Sequence, residues 1–99
     1  MNIRDIDNMD DLKDFISRNN LHIVYKSSRD MYGFSGIHVE KGEDWGLKIP
    51  LNTIWIDRNL RGRELFRTLK HEVEELILMR SKGLKYFPAH KIATRDETR

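Results

Sequence analysis

The chain has 99 residues, a formal net charge of +2, charged side chains at 34% of positions and no cysteine. That length is one domain with a single core, and the charge is that of a well-solvated, not strongly basic, surface that allows contact with nucleic acid without arguing for it. Without cysteine there is no disulfide frame, thiolate nucleophile or Cys zinc site, so any metal centre must be built from His and carboxylates.

No run reaches the roughly 18 apolar residues of a membrane span. The opening residues Met1 to Asp7 are charged and lack an apolar signal region, so a cytoplasmic protein is expected. No internal repeat, low-complexity tract or linker interrupts the chain.

Asn8 to Arg18 reads as an amphipathic helix. Leu12, Phe15 and Ile16 fall at i, i+3 and i+4, and Met9 extends the stripe. Asn8 or Asp10 is the expected cap, and Asn19-Asn20 the stop. A strand follows over Leu21 to Lys26, with Leu21, Ile23 and Tyr25 on one face. Ser27 to Tyr32 reads as a loop. Phe34 to Glu40 reads as a second strand, Lys41-Gly42-Glu43-Asp44 as a hairpin turn, and Trp45 to Leu51 as a returning strand broken by Pro50.

Asn52 to Asp57 is the most strand-like run, being β-branched and aromatic. From Arg63 or Glu64 a long helix runs to about Lys82, with Leu65, Phe66, Leu69, Val73, Leu76 and Ile77 as its apolar stripe and Gly83 as its stop. A short last helix is expected from Pro88 to about Glu97. Strands cluster ahead of the main helices, so the predicted class is α+β. It has an N-terminal helix, a small antiparallel sheet of three to four strands, a long helix and a short C-terminal helix.

The chemistry concentrates in Thr68-Leu69-Lys70-His71-Glu72-Val73-Glu74-Glu75. On a helix, His71 and Glu75 at i and i+4 share a face, with Glu72 beside them. An imidazole, a carboxylate one turn on and a second carboxylate next to the His provide two metal ligands and a general base. This face lies opposite the apolar stripe, flanked by Leu78 and Met79, which would be out of place in open solvent. Something is therefore expected to cover it, and the chain after Gly83 turns back with His90 within reach.

Ile54-Trp55-Ile56-Asp57-Arg58-Asn59-Leu60, then Glu64, then Thr68-Leu69-Lys70-His71-Glu72 resembles the strand, connection and active-site helix of the zincin metallopeptidases. It is most similar to the ImmA/IrrE-like minimal zincins. The resemblance covers about thirty residues, roughly Asn52 to Met79. It implies one zincin-like domain over residues 1–99, a zinc ion, and a peptide or protein substrate. His71 would be a zinc ligand and Glu72 the general base acting on a metal-activated water. The family pattern is His-Glu-x-x-His. Here its last position is Glu75, a variant His-Glu-x-x-Glu, with Glu75 as the replacement ligand and His90 as the third. This two-His, one-carboxylate set also suits iron or manganese. The strand around Trp55 would be an edge on which an extended peptide pairs.

Tyr86 lies just before His90 and is the one candidate oxyanion donor, although with Phe87 it reads first as loop packing. His22 and His38 read as surface or hydrogen-bonded residues, and Trp45 and Trp55 as core or sheet-face residues. Arg58, Arg61, Arg63 and Arg67 read as solvated or paired with Glu64. The leading expectation is a metallopeptidase. The alternatives are a degenerate zincin-fold binding module without catalysis and, less favoured, a small nucleic-acid-binding protein.

Overall fold

The computed structural model describes residues 2–97. The first helix, α1 (Met9–Arg18), starts where expected. The Asn8 side chain accepts the Asp11 amide at 2.8 Å, satisfying one of the free donors of the first turn. Leu12 and Ile16 are buried, and Asn20, at φ 55, ends the helix in the left-handed region that asparagine tolerates.

Three strands follow: β1 (His22–Lys26), β2 (Gly36–His38) and β3 (Thr53–Asp57). Between β2 and β3 lies the short helix α2 (Val39–Gly42). The chain closes with α3 (Gly62–Ser81) and α4 (Tyr86–Asp96). The fold is α+β. The sheet order is β1-β3-β2, with β1 parallel and β2 antiparallel to the central β3.

One face of this sheet carries the main core. Ile54 and Ile56 of β3 pack with Leu12 and Ile16 of α1 and with Leu69, Val73 and Leu76 of α3. Each such fully buried aliphatic side chain contributes about 1.5–3 kcal/mol by its removal from water. On the opposite face Met31, Ile37 and Ile49 form a smaller cluster with Trp55 against it. The register assigns the faces of β2. Gly36 opposite Ile56 and His38 opposite Ile54 face α3, whereas Ile37 opposite Trp55 faces away. No helix among the described residues is long and apolar enough to cross a membrane.

Several expectations are corrected. The sheet is mixed, not antiparallel, because the hairpin expected at Lys41–Asp44 is absent. His38 instead caps α2, its Nδ1 accepting the Lys41 amide at 3.2 Å, so the chain leaves β2 into a helical turn. Gly42 is needed for close approach and not for a turn, since a Cβ there would stand 2.6 Å from Ile49 Cδ1. Trp45 to Leu51 is no strand. Glu43–Trp45 is a 3₁₀ turn, and Leu47 and Ile49 point inwards from irregular chain, which imitates strand alternation. Trp55 therefore sits on the central strand, where no peptide can pair. Tyr25 does share the α3-facing side with Ile23, yet at the end of edge strand β1 it stays 53% exposed. Ser28–Met31 is a 3₁₀ turn that buries Met31 completely.

Candidate metal centre

Gly83, at φ 68, ends α3 and reverses the chain, and the Lys82 and Leu84 amides both donate to the Leu78 carbonyl at 3.2 Å. Helix α4 then folds back along α3 and covers the face opposite the apolar stripe. This is the expected cover: His71, Glu72 and Glu75 are all buried, at 8%, 8% and 2% exposure. Unlike those of a solvated helix face, its polar groups find partners on one another and on the elements packed over them.

Two of those groups, His71 and Glu75, converge with His90 of α4. His71 Nε2 lies 2.9 Å from Glu75 Oε2, His90 Nδ1 lies 2.9 Å from the same oxygen, and the two nitrogens are 3.2 Å apart. An imidazole nitrogen either carries a proton or accepts one, so hydrogen bonds cannot satisfy all three edges of this triangle at once. Lone pairs around one cation can. One edge, at 3.2 Å, falls within the roughly 3.0–3.4 Å between donor atoms that metal bonds of about 2.1 Å produce, and the two at 2.9 Å lie just short of it. The residues present therefore fit a divalent ion.

Neighbours fix the orientation of each donor. His38 Nδ1 accepts the Lys41 amide, so in its neutral form the proton sits on Nε2, which donates to Glu75 Oε1 at 2.7 Å. Glu75 is thus held by one oxygen and offers the other to His71 and His90. This assignment also argues against the neighbouring trio of His38, Glu72 and Glu75 as the ligand set, because the His38 nitrogen facing it carries a proton. Glu97 Oε1 lies 3.5 Å from His71 Nδ1 and favours the tautomer whose Nε2 lone pair faces the triangle.

Glu72 stands beside the triangle, its Oε2 4.0 Å from His71 Nε2. Gly36 makes room for it: a Cβ there would meet Glu72 Cγ at 2.9 Å. Burial, then the Glu75 charge, push the Glu72 carboxyl up to about 7 against the pull of His38 and His71. Burial also penalises the Glu75 charge, but the His38 and His71 nitrogens that face it outweigh this and bring the carboxyl down to about 2. For His71, burial lowers the pKa, yet the Glu75 bond and the surrounding carboxylates leave it above its ordinary value.

The Tyr86 hydroxyl lies 3.2 Å from His90 Nδ1, and its ring stacks on His90 with centroids 5.2 Å apart. Burial, then Glu75 and Glu72, raise its pKa to about 12, so it remains a donor. Lys41 Nζ sits over the Tyr86 ring, 3.6 Å from its centroid. These groups line a cavity of about 250 Å³ with Phe34, Ser35, Gly36 and Thr68. A larger cavity of about 570 Å³ lies between the starts of α1 and α3, but it brings together no comparable set of ligating groups. The chemistry favours the smaller one.

The structure thus brings together His71, Glu72, Glu75 and His90, with Tyr86 beside them. It leaves His22 and Arg58, Arg61, Arg63 and Arg67 at the surface, with Arg61 turned onto the carbonyls of Arg58 and Leu60. Sequence reasoning gave Lys41 and Glu97 no role and read His38 as a surface or hydrogen-bonded residue; it is hydrogen-bonded, to Glu75. Comparison of the chain with models of known families, with curated proteins and with solved structures finds no match.

Proposed function

We propose that this chain is a zinc-dependent hydrolase acting on peptide bonds, with His71, Glu75 and His90 as metal ligands and Glu72 as general base. The observation that carries the reading is the triangle of His71 Nε2, Glu75 Oε2 and His90 Nδ1 at 2.9, 2.9 and 3.2 Å, with a fourth group, Glu72, beside it. A divalent ion held there supplies Lewis-acid polarisation of a carbonyl and acidifies a water. The two histidines contribute neutral nitrogen donors, and His38 keeps Glu75 turned so that one oxygen faces them.

Glu72 takes the proton of the attacking water and returns it to the leaving amine. A carboxyl pushed up towards neutrality is suited to both tasks. Its carboxylate form, which a base requires, is favoured by any cation its neighbours hold. Tyr86 is a protonated donor on the same cavity wall, able to bond the oxygen on which negative charge develops. The resemblance to zincins supports peptide bonds as the substrate class. The donor set accepts iron or manganese as well as zinc.

The test is metal content by plasma mass spectrometry for the wild type and for His71→Ala, Glu75→Ala and His90→Ala, followed by a peptide-hydrolysis assay with Glu72→Gln. Near-stoichiometric zinc is expected in the wild type and not in the three variants. Glu72→Gln is expected to keep the metal and lose about 10²- to 10⁴-fold in rate. No metal uptake even after incubation with zinc would overturn the reading. Glu75, where the family pattern has His, favours a second reading: a metal-stapled protein-binding module. Bound zinc with no turnover of any peptide would select it.

A further inference from the structure

The geometry points to an aromatic track, Phe34–Trp45–Tyr32, that receives a bulky apolar side chain of an extended peptide next to the reacting bond. This rests on the reading of the metal-centre cavity as the place of reaction. Phe34 belongs to both regions: it lines that cavity and rests on the smaller core. The Trp45 ring meets Phe34 edge-on at 5.1 Å, and the Tyr32 ring follows at 5.5 Å from Trp45.

Trp45 and Tyr32 do not serve the core. They are 43% and 63% exposed and stand outside the cluster that Phe34 joins. Large rings left in water beside a cavity mark a contact surface for another apolar group.

Tyr32 adds a second, independent observation. It adopts φ 55, ψ 31, the left-handed region in which a bulky side chain is an outlier and glycine is the usual occupant. Flanking bonds hold it there: its own amide and the Gly33 amide donate to Ser28 O, and the Phe34 amide to Met31 O. A strained tyrosine whose ring is mostly exposed is not explained by packing. Strain of this kind collects where a side chain is held out for a ligand.

The occupant is a peptide side chain, aromatic or large aliphatic, because the track opens from the cavity where the reacting carbonyl is bound. Lys41 and Tyr86, which line the same cavity as Phe34, supply the polar contacts for the peptide backbone.

The experiment titrates zinc-loaded Glu72→Gln protein, and chelator-treated wild type, with short labelled Gly/Ser peptides carrying one Phe or, in its place, one more Ser. The Phe peptide is expected to bind roughly tenfold more tightly. Trp45→Ala and Tyr32→Gly should each bring the two peptides close to parity with zinc content unchanged. Tyr32→Gly should do so with a melting temperature equal to or above that of the wild type, because it relieves the left-handed strain. Equal binding of both peptides, no binding of either, or a Phe preference that survives both substitutions would overturn the proposal. If the protein takes up no zinc, the hydrolase reading falls by itself. A Phe preference of the chelator-treated protein that Trp45→Ala and Tyr32→Gly abolish would still uphold the track.

Discussion

His38 decides which oxygen Glu75 can offer to the proposed centre. With Nδ1 occupied by the Lys41 amide, its Nε2 proton is committed to Glu75 Oε1, and only Oε2 remains for His71 and His90. Outer partners of this sort are worth about 10- to 100-fold in metal affinity. His38→Leu should lose that much zinc affinity, measured by competition with a chromophoric chelator. His38→Gln, whose amide can donate from nearly the same place, should recover part of it. Equal affinity in all three proteins would remove His38 from the centre.

The clustering of the proposed ligands was legible because chemistry and periodicity coincide: i and i+4 on one helix put His71 beside Glu75, and the reversal at Gly83 brings His90 to them. His38 was not, because β2 is buried on both faces. Ile37 and His38 are 1% and 0% exposed, so alternation carries no information there about which residue meets α3. Glu97 was not either, because only the docking of α4 brings it to His71.

Between elements, the contact of α4 with α3 holds a second acidic pair away from the metal centre. Burial, then the hydrogen bond and charge of Asp96, push Glu74 up to about 7 against Lys70 and Arg95. Its ordinary value is 4.5, so between those limits the folded protein binds more protons than the unfolded chain. Stability therefore falls as pH rises from about 4.5 to about 7 and is level above that, a change on the order of 2 kcal/mol. Denaturant melts of the wild type and Glu74→Gln across this range should show the slope reduced in the variant. An unchanged slope would mean that the α3–α4 contact does not hold this proton.

The same contact shows what periodicity resolves. The 3.6-residue repeat located α1 and α3 within a residue or two. Residues 39–51 were misread because inward-pointing Leu47 and Ile49 in irregular chain look like a strand. Helix α4 begins at Tyr86, two residues before Pro88, which occupies the first turn, where its missing amide costs no hydrogen bond.

Across the whole molecule, the proposed centre ties elements that are otherwise joined by short connections. His71 and Glu75 come from α3, His90 from α4, and the residue that turns Glu75 from the end of β2. A domain of this size has only a small margin of stability, so an ion bound to the folded state alone should shift it visibly. Free zinc at 100 times its dissociation constant adds about 2.7 kcal/mol. For a chain of this length that raises the melting temperature by about 10–20 °C. Calorimetry with zinc and then with excess chelator should show the rise and its reversal. His90→Ala should abolish the rise although its side chain is the least buried of the three ligands, because the loss is one of coordination and not of packing. Glu72→Gln should keep the rise, since it removes the base and leaves the ligands. A shift of the same size in the wild type and His90→Ala would mean that zinc binds elsewhere on the surface, and His71, Glu75 and His90 would then be a buried hydrogen-bond cluster that only fastens α4 to α3.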